Sequence, residues 1–334
     1  MEQRREMQGT DPVVADWAAR RTRHAAAWTP TELTAAKADH VISVVLPARD
    51  EEATIGAIVG AIGRDLTGPG GLVDEILVVD SRSTDATARI AAAAGARVVR
   101  QDEVTRGLTP MDGKGDAMWA GLAASRGDLV VFLDADLRAF SSRFVTGLLG
   151  PLLTDPSVAF VKGFYHRPLT IEGHADPDGG GRVTELVARP LLNLFWPRLA
   201  GFIQPLSGEC AGRREVLSRV PFVSGYGVET AMMIDLLELV GLEALAQVDL
   251  GERRHRNQSN QALGRMSAQI VLAAWSRLRR QGWVSTDAEP GRLLTQFVRD
   301  ADGPAGREAQ TVDVGVTERP PLASLLLPGA PGRG

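Results

Sequence analysis

The chain is short of three things. It has one cysteine, Cys210, among 334 residues, which excludes an intramolecular disulfide and every cysteine-rich zinc module and fits a reducing compartment. It has no basic excess, because 37 Lys plus Arg face 41 Asp plus Glu for a formal balance of −4. A protein that neutralises nucleic-acid phosphates normally shows the opposite sign, so nucleic acid is not an expected partner, although an acidic small substrate can still meet a basic pocket. It has no run of eighteen apolar residues, and Met1 to Gln8 offers no apolar core for a signal peptide. Neither a membrane span nor secretory export is expected, and the expected location is the cytoplasm.

The length gives room for about two domains at roughly 150 residues each, and no internal repeat divides it. Residues 1–40 carry two helix-start signals, Asp11-Pro12 and Thr29-Pro30-Thr31-Glu32, the second a capping box with Pro in the first turn; they read as a helical extension. From 41 to about 165, near-continuous apolar runs (41–46, 75–79, 96–99, 129–133) alternate with helical periodicity such as Ile55, Ile58, Val59 and Ile62. That is the signature of buried parallel strands with helical crossovers, an α/β class with a mostly parallel sheet. Residues 166–260 read as a smaller lobe completing a cleft, with helices at 183–195 and 228–240 and a strand at 245–250. Residues 261–300 read as a C-terminal helical segment. Six Gly and five Pro among residues 301–334 predict a flexible tail.

Ligands in such sheets bind beyond the carboxyl ends of the strands. The run after residue 46 is Pro47-Ala48-Arg49-Asp50-Glu51-Glu52, not G-x-G-x-x-G, which argues against a nicotinamide or flavin enzyme. Gly113-Lys114 continues with Gly115 instead of Ser or Thr, so it is no P-loop. The run at 129–133 ends in Asp134-Ala135-Asp136. Two carboxylates there repel unless a cation intervenes, and a hard divalent ion shared with a diphosphate is one solution; solvated turn acids are the other. Asp80-Ser81-Arg82-Ser83-Thr84-Asp85 opens a helix, with Thr84 and Asp85 readable as caps. Lys114 precedes a helix, where the macrodipole disfavours a cation that a phosphate would welcome, though a solvated loop lysine fits the same letters. Gly179-Gly180-Gly181-Arg182 can form an anion nest with a planar fork, or a plain loop. His255 lies among Arg253, Arg254 and Arg256, whose like charge favours neutral imidazole; a cationic loop is the alternative. Glu229 is either a reacting-centre acid or a favourable first-turn residue. Met232, Met233 and Cys210 read as core.

These motifs, from Val44–Pro47 through Asp80-Ser81, Gly113–Gly115, Asp134–Asp136, Gly179–Pro190, Gln204–Glu209, Gly225–Glu229 and His255–Asn257, resemble the glucosyl-3-phosphoglycerate synthases, retaining GT-A type glycosyltransferases, over roughly residues 40–300. The resemblance implies that Pro47, Ala48, Glu51 and Ser81 hold the uridine, that Lys114 contacts the donor diphosphate and that Asp134 and Ala135 meet the nucleotide sugar. It implies a divalent metal, Mg2+ with Mn2+ as the alternative, on Asp136 and His255. Gly181, Arg182, Thr184 and Asn257 would grip 3-phosphoglycerate, and Glu229 would serve the reacting centre with Asp136 and Lys114. A homodimer is implied too. Arg49-Asp50 and Arg82 depart from the family pattern, which has a small apolar residue with Asn, and Gly, at these places.

The implied reaction moves glucose from a nucleoside diphosphate, UDP-glucose, to the 2-hydroxyl of 3-phosphoglycerate with retention, by front-face attack or through a covalent intermediate. Rival readings are a mannosyl homologue using GDP-mannose, a polyprenyl-phosphate glycosyltransferase, which the lack of a membrane anchor disfavours, and an inactive nucleotide-sugar-binding module.

Overall fold

The computed structural model describes residues 11–166, 169–171, 174–176, 181–252, 259–285, 287, 289–299 and 307–325. The strands are β1 (Thr22–His24), β2 (Ile42–Ala48), β3 (Glu75–Asp80), β4 (Arg97–Arg100), β5 (Leu129–Phe132), β6 (Phe160–His166), β7 (Leu169–Ile171), β8 (His174–Asp176), β9 (Cys210–Arg213), β10 (Phe222–Val223), β11 (Leu245–Glu252), β12 (Leu293–Arg299), β13 (Arg307–Asp313) and β14 (Glu318–Arg319). Eight of them make the central sheet in the order β1-β11-β6-β9-β5-β2-β3-β4. All of its pairings are parallel except those of β9, which runs antiparallel to both β5 and β6.

Both faces of this sheet are covered. One carries the helices α1 (Pro12–Arg21), α6, α10 and α11; the other carries α2 (Pro30–Ala36), α3 (Ile55–Leu66), α4 (Thr87–Ala93) and α7. Of these, α6 spans Lys114–Ala124, α7 Arg143–Thr154, α10 Val228–Val240 and α11 Asn260–Arg280, while α5 (Gln101–Val104), α8 (Arg189–Phe195), α9 (Arg214–Leu217) and α12 (Leu322–Leu325) are short connectors. Double coverage explains the near-continuous apolar runs: Val44 and Leu46 enter one core while Val45, between them, enters the other. In α3 the residues at helical spacing, Ile55, Ile58, Val59, Ile62 and Leu66, are all buried, each contributing roughly 1.5–3 kcal/mol by removal from water. Both expected caps form: Asp11 accepts from the Val13 N–H, and Thr29 and Glu32 make a reciprocal capping box.

Four expectations about segments are corrected. The 1–40 extension is not only helical, since β1 adds to the sheet edge beside β11. Residues 166–260 are not separate from the first α/β unit, because β9 is inserted between β5 and β6, and β11 pairs β6. The segment 261–300 is helical only to Arg280; Leu293–Arg299 pairs with Arg307–Asp313 as a hairpin. The tail is packed from 307 to 325: β14 pairs β10, and Val314, Arg319 and Leu322 are buried. Gly and Pro counted over the whole stretch hid these contacts, in which Phe222 and Val223 pair with Arg319 and Glu318 from a distant part of the chain.

Candidate active site

The carboxyl ends of β2, β3 and β5 meet at one place because the three strands are adjacent and in register. Pro47 is half-buried and Ala48 buried at the end of β2. Ser81, buried just past β3, donates its N–H to the Ala48 carbonyl at 2.8 Å. Asp80, opposite Ala48, has a buried Oδ1 with no hydrogen-bond partner among the described residues. Glu51 is held by its N–H to the Thr87 hydroxyl, 2.8 Å. The departures from the family pattern have local work. Asp50 accepts from the Thr84 N–H at 2.7 Å, and Arg82 pairs with Asp102 and Asp112, tying the loop after β3 to the one leading into Lys114.

Beyond β5 the chain turns, and Asp134 and Asp136 differ in exposure: Asp134 is half-buried and Asp136 exposed. The Thr54 hydroxyl donates to the Ala135 carbonyl at 2.6 Å, fixing this turn to the start of α3. Burial raises the Glu51 carboxyl above its ordinary value, and the negative charges of Asp136 and Asp134 raise it further. This is a place with surplus negative charge, which a divalent cation would relieve. The described residues alone supply no group of three metal-ligating side chains, and His255, with Asn257, lies outside the described residues.

Lys114 is the centre of the cluster. Its Nζ lies 2.5 Å from Oδ1 of Asp134 and 2.9 Å from Oε1 of Glu229. Burial works against its charge, but Asp134, Glu229 and Glu209 outweigh burial and hold the ammonium well above the ordinary lysine value. The two flanking glycines explain how Glu229 gets there. Gly113 has φ +95° and lies so close to Gly225 that a Cβ would sit 2.7 Å from its nitrogen, and at Gly115 a Cβ would collide with the Val223 carbonyl. The first turn of α6 is thereby pressed onto residues 223–225, from which α10 and its first-turn Glu229 begin. The glycines serve close backbone approach, not phosphate wrapping.

Gly181, Arg182 and Thr184 begin a helical stretch whose residues Thr184–Ala188 form a π-turn, a distortion frequent at functional sites. Thr184 is buried, and the exposed Arg182 donates from Nη1 to Oδ1 of Asn260 at 3.0 Å. Asn260 opens α11, and Gln269 of the same helix accepts from the Tyr226 N–H at 3.0 Å. Nine residues at about 1.5 Å each separate the two contacts by roughly 14 Å along one helix. One rigid element thus carries both the turn leading to Glu229 and the anchor of Arg182.

Three residues escaped sequence reasoning. Asp80 stands in the sequence only as the first letter of a loop motif. Glu209, buried, lies close enough to Lys114 to help hold its charge. Lys162 is 2% exposed in the middle of β6, and a lysine inside the apolar run Phe160-Val161-Lys162-Gly163-Phe164 was its only signal.

The site so defined is that of a sugar-transferring enzyme: residues 43–217 match the glycosyl transferase family 2. Over 314 residues the chain is 48% identical to the glucosyl-3-phosphoglycerate synthase of Mycolicibacterium paratuberculosis, covering 92% of each chain. The crystal structure of mannosyl-3-phosphoglycerate synthase from Rubrobacter xylanophilus superposes with a TM-score of 0.85 at 42% identity, over 93% of this chain and 99% of that one. The glucosyl-3-phosphoglycerate synthase of Mycobacterium tuberculosis, crystallised with Mn2+, UDP-glucose and phosphoglyceric acid, gives a TM-score of 0.78 at 44% identity, over 91% and 98%. The chain belongs to the glucosyl-3-phosphoglycerate synthase family, and its mostly parallel α/β sheet is the GT-A type that the resemblance implied.

Proposed function

We infer that the protein transfers glucose from UDP-glucose to the 2-hydroxyl of 3-phosphoglycerate with retention of anomeric configuration, aided by a divalent cation. The observation that carries this reading is the Lys114 ammonium, half-buried at the strand ends between Asp134 and Glu229. It suits a diphosphate leaving group bearing developing negative charge, in a family whose relatives have been crystallised with UDP-glucose and phosphoglyceric acid. Pro47, Ala48, Ser81 and Glu51 frame the uridine, and the unpartnered Oδ1 of Asp80 suits an N–H of a nucleobase. Asp134 and Ala135 border the sugar. Asp136 would hold the metal, with His255 as the second ligand; the metal supplies charge neutralisation at the diphosphate. Mg2+ is the proposed physiological ion, since hard oxygen donors and a diphosphate suit it.

Arg182, with Gly181, Thr184 and Asn257, grips the acceptor through its carboxylate and phosphate. Glu229 faces the reacting centre from the opposite side of Lys114. Binding both substrates in one cleft supplies the orientation that brings the 2-hydroxyl to the anomeric carbon. Among the described residues no helix is long and apolar enough to cross a membrane; a cytoplasmic location and a homodimer complete the proposal.

The likeness to the Rubrobacter mannosyl enzyme favours a second reading, mannosyl transfer to the same acceptor. One experiment decides: release of nucleoside diphosphate from UDP-glucose, GDP-glucose and GDP-mannose, each with and without 3-phosphoglycerate and with and without chelator. The expected result is acceptor-dependent, chelator-sensitive turnover with UDP-glucose. Preference for GDP-mannose establishes the second reading. Asp136→Ala should abolish the metal-dependent turnover, and unchanged activity in that variant removes Asp136 from the site.

A further inference from the structure

We propose that Lys162 is a positioning residue that takes over the charge balance of Glu229 when Lys114 turns to the donor diphosphate. The inference rests on the placement of Lys114 at the diphosphate given above.

The geometry is specific. On β6, Lys162 stands opposite Cys210 of β9 and Gln247 of β11. Its strand neighbour on the same face, Phe160, enters the core shared with Met232 and Met233 of α10 and with α6, whereas Val161 enters the opposite core. Lys162 therefore rises from the sheet floor toward the helices that carry Lys114 and Glu229. The adjoining Gly163 receives the chain just ahead of Cys210, its N–H donating to the Glu209 carbonyl at 2.9 Å. Among the described residues, no hydrogen bond or close ion pair ends on the Lys162 ammonium.

A charge on a side chain only 2% exposed, without a close partner, is costly to fold. Burial accordingly lowers the Lys162 pKa from its ordinary value, while the nearby Cys210, Glu229 and Glu209 pull it upward and Lys114 pushes it down. These named groups, from β9 and the residue just before it, α10 and α6, are the charges that face it. Such a residue is unexplained by stability and lies in electrostatic reach of Glu229.

The need for it arises on ligand binding. Without donor, Lys114 satisfies Glu229 directly. A diphosphate competes for the same ammonium, and engaging it takes the close cation from a carboxylate that is only 8% exposed. With Lys162 beneath, a second positive charge stays beside Glu229. Without Lys162, Glu229 would hold Lys114 back and the diphosphate would bind less well. The two cations thus act in relay, one mobile at the diphosphate and one fixed on the sheet.

A thermodynamic cycle tests this by binding alone, independent of which sugar or acceptor is used. Dissociation constants for UDP and for GDP, each with Mn2+, are measured calorimetrically for the wild type, Lys162→Met, Glu229→Gln and the double variant. Lys162→Met should weaken the preferred nucleotide about tenfold in the wild-type background and leave it nearly unchanged in the Glu229→Gln background. Equal weakening in both backgrounds would mean that Lys162 attracts the anion directly, and no weakening would mean that it does nothing for binding; either overturns the proposal. Removal of an unpartnered buried charge should leave the unfolding temperature of Lys162→Met unchanged or higher. Should that variant fail to fold, Lys162→Gln, close in size and still polar, runs the same cycle with the same outcomes. If the wild type binds neither nucleotide, the donor reading itself falls and this inference with it, a failure distinct from an additive cycle in a wild type that binds.

Discussion

Lys114 reaches Glu229 across a 2.9 Å contact between residues 115 positions apart, and Asp134 holds the same ammonium from the other side. Lys114→Met removes the cation and leaves the half-buried Asp134 carboxylate and the buried Glu229 carboxylate without it. Steady-state kinetics should show kcat/KM lower by about 10²–10³-fold, the range seen when a preorganised electrostatic contact to a developing charge is deleted. Calorimetric titration with UDP should show weakened binding in the same variant. Unaltered UDP affinity would remove Lys114 from the diphosphate.

The contact depends on how closely α6 lies against the 223–225 segment. Gly115→Ala places a methyl on the Val223 carbonyl, which is backbone and cannot rotate away. Overpacking of this kind costs on the order of 1–3 kcal/mol, so the thermal midpoint should fall by several degrees. Because the displaced segment opens the helix of Glu229, kcat should fall more than the stability loss explains. A variant with wild-type kcat at 25 °C would show that this approach is not what sets the site.

On the acceptor side, Arg182 is exposed and anchored to Asn260, so its removal should disturb binding with little effect on the fold. Arg182→Ala is expected to raise the KM for 3-phosphoglycerate about tenfold or more while kcat and the donor KM stay within about twofold, as for loss of uniform binding. Equal KM in variant and wild type would place the acceptor elsewhere.

How far the residues spoke for themselves follows the range of their interactions. Strands buried on both faces and the spacing of Ile55, Ile58, Val59 and Ile62 are local signals, and the capping box at Thr29 was legible in four letters. Asp134, Lys114 and Glu229 were each legible as candidates, yet their meeting was not, because it depends on two backbone approaches at Gly113 and Gly115. Lys162 and Glu209 were opaque for a different reason: a lone charge in a buried strand has meaning only once its non-local neighbours are known. Compositional reasoning failed outright at 307–325. Its Gly and Pro content was real, but Arg319 reaches Asp116, 203 residues away.

A pH dependence of stability follows from Glu75, whose side chain is 3% exposed at the start of β3. Burial acts to raise its pKa, but the Ser43 hydroxyl, the Arg126 N–H and Arg97 outweigh burial and lower it. A carboxyl with a depressed folded-state pKa adds stability that is present above its unfolded value of about 4.3 and is lost as pH falls through the folded value. Urea unfolding should therefore show a plateau near neutrality and a decline below about pH 4. Glu75→Gln should cost about 1–3 kcal/mol at pH 7 and flatten part of that decline; an unchanged acid slope would assign it to other carboxylates.

The C-terminal segment is a structural part of the site, not an appendage. Arg319 is 3% exposed and pairs at 2.5 Å with Asp116, two residues beyond Lys114 on α6, while its guanidinium lies 5.7 Å from the ring centre of Trp119. The Trp119 indole N–H donates to the Pro320 carbonyl at 3.0 Å, and the Ser224 N–H donates to the Thr317 carbonyl at 2.8 Å. The same segment therefore braces both α6 and the turn before Glu229. Arg319→Leu strands a buried carboxylate, at a cost on the order of 3–5 kcal/mol, and truncation after residue 306 should cost at least as much and lower kcat as α6 loosens. Pairing Arg319→Leu with Asp116→Asn should recover much of the stability, since the uncompensated charge is then gone. Denaturant unfolding of the three variants checks this, and a truncated chain with the wild-type midpoint and activity would show that residues 307–325 brace nothing.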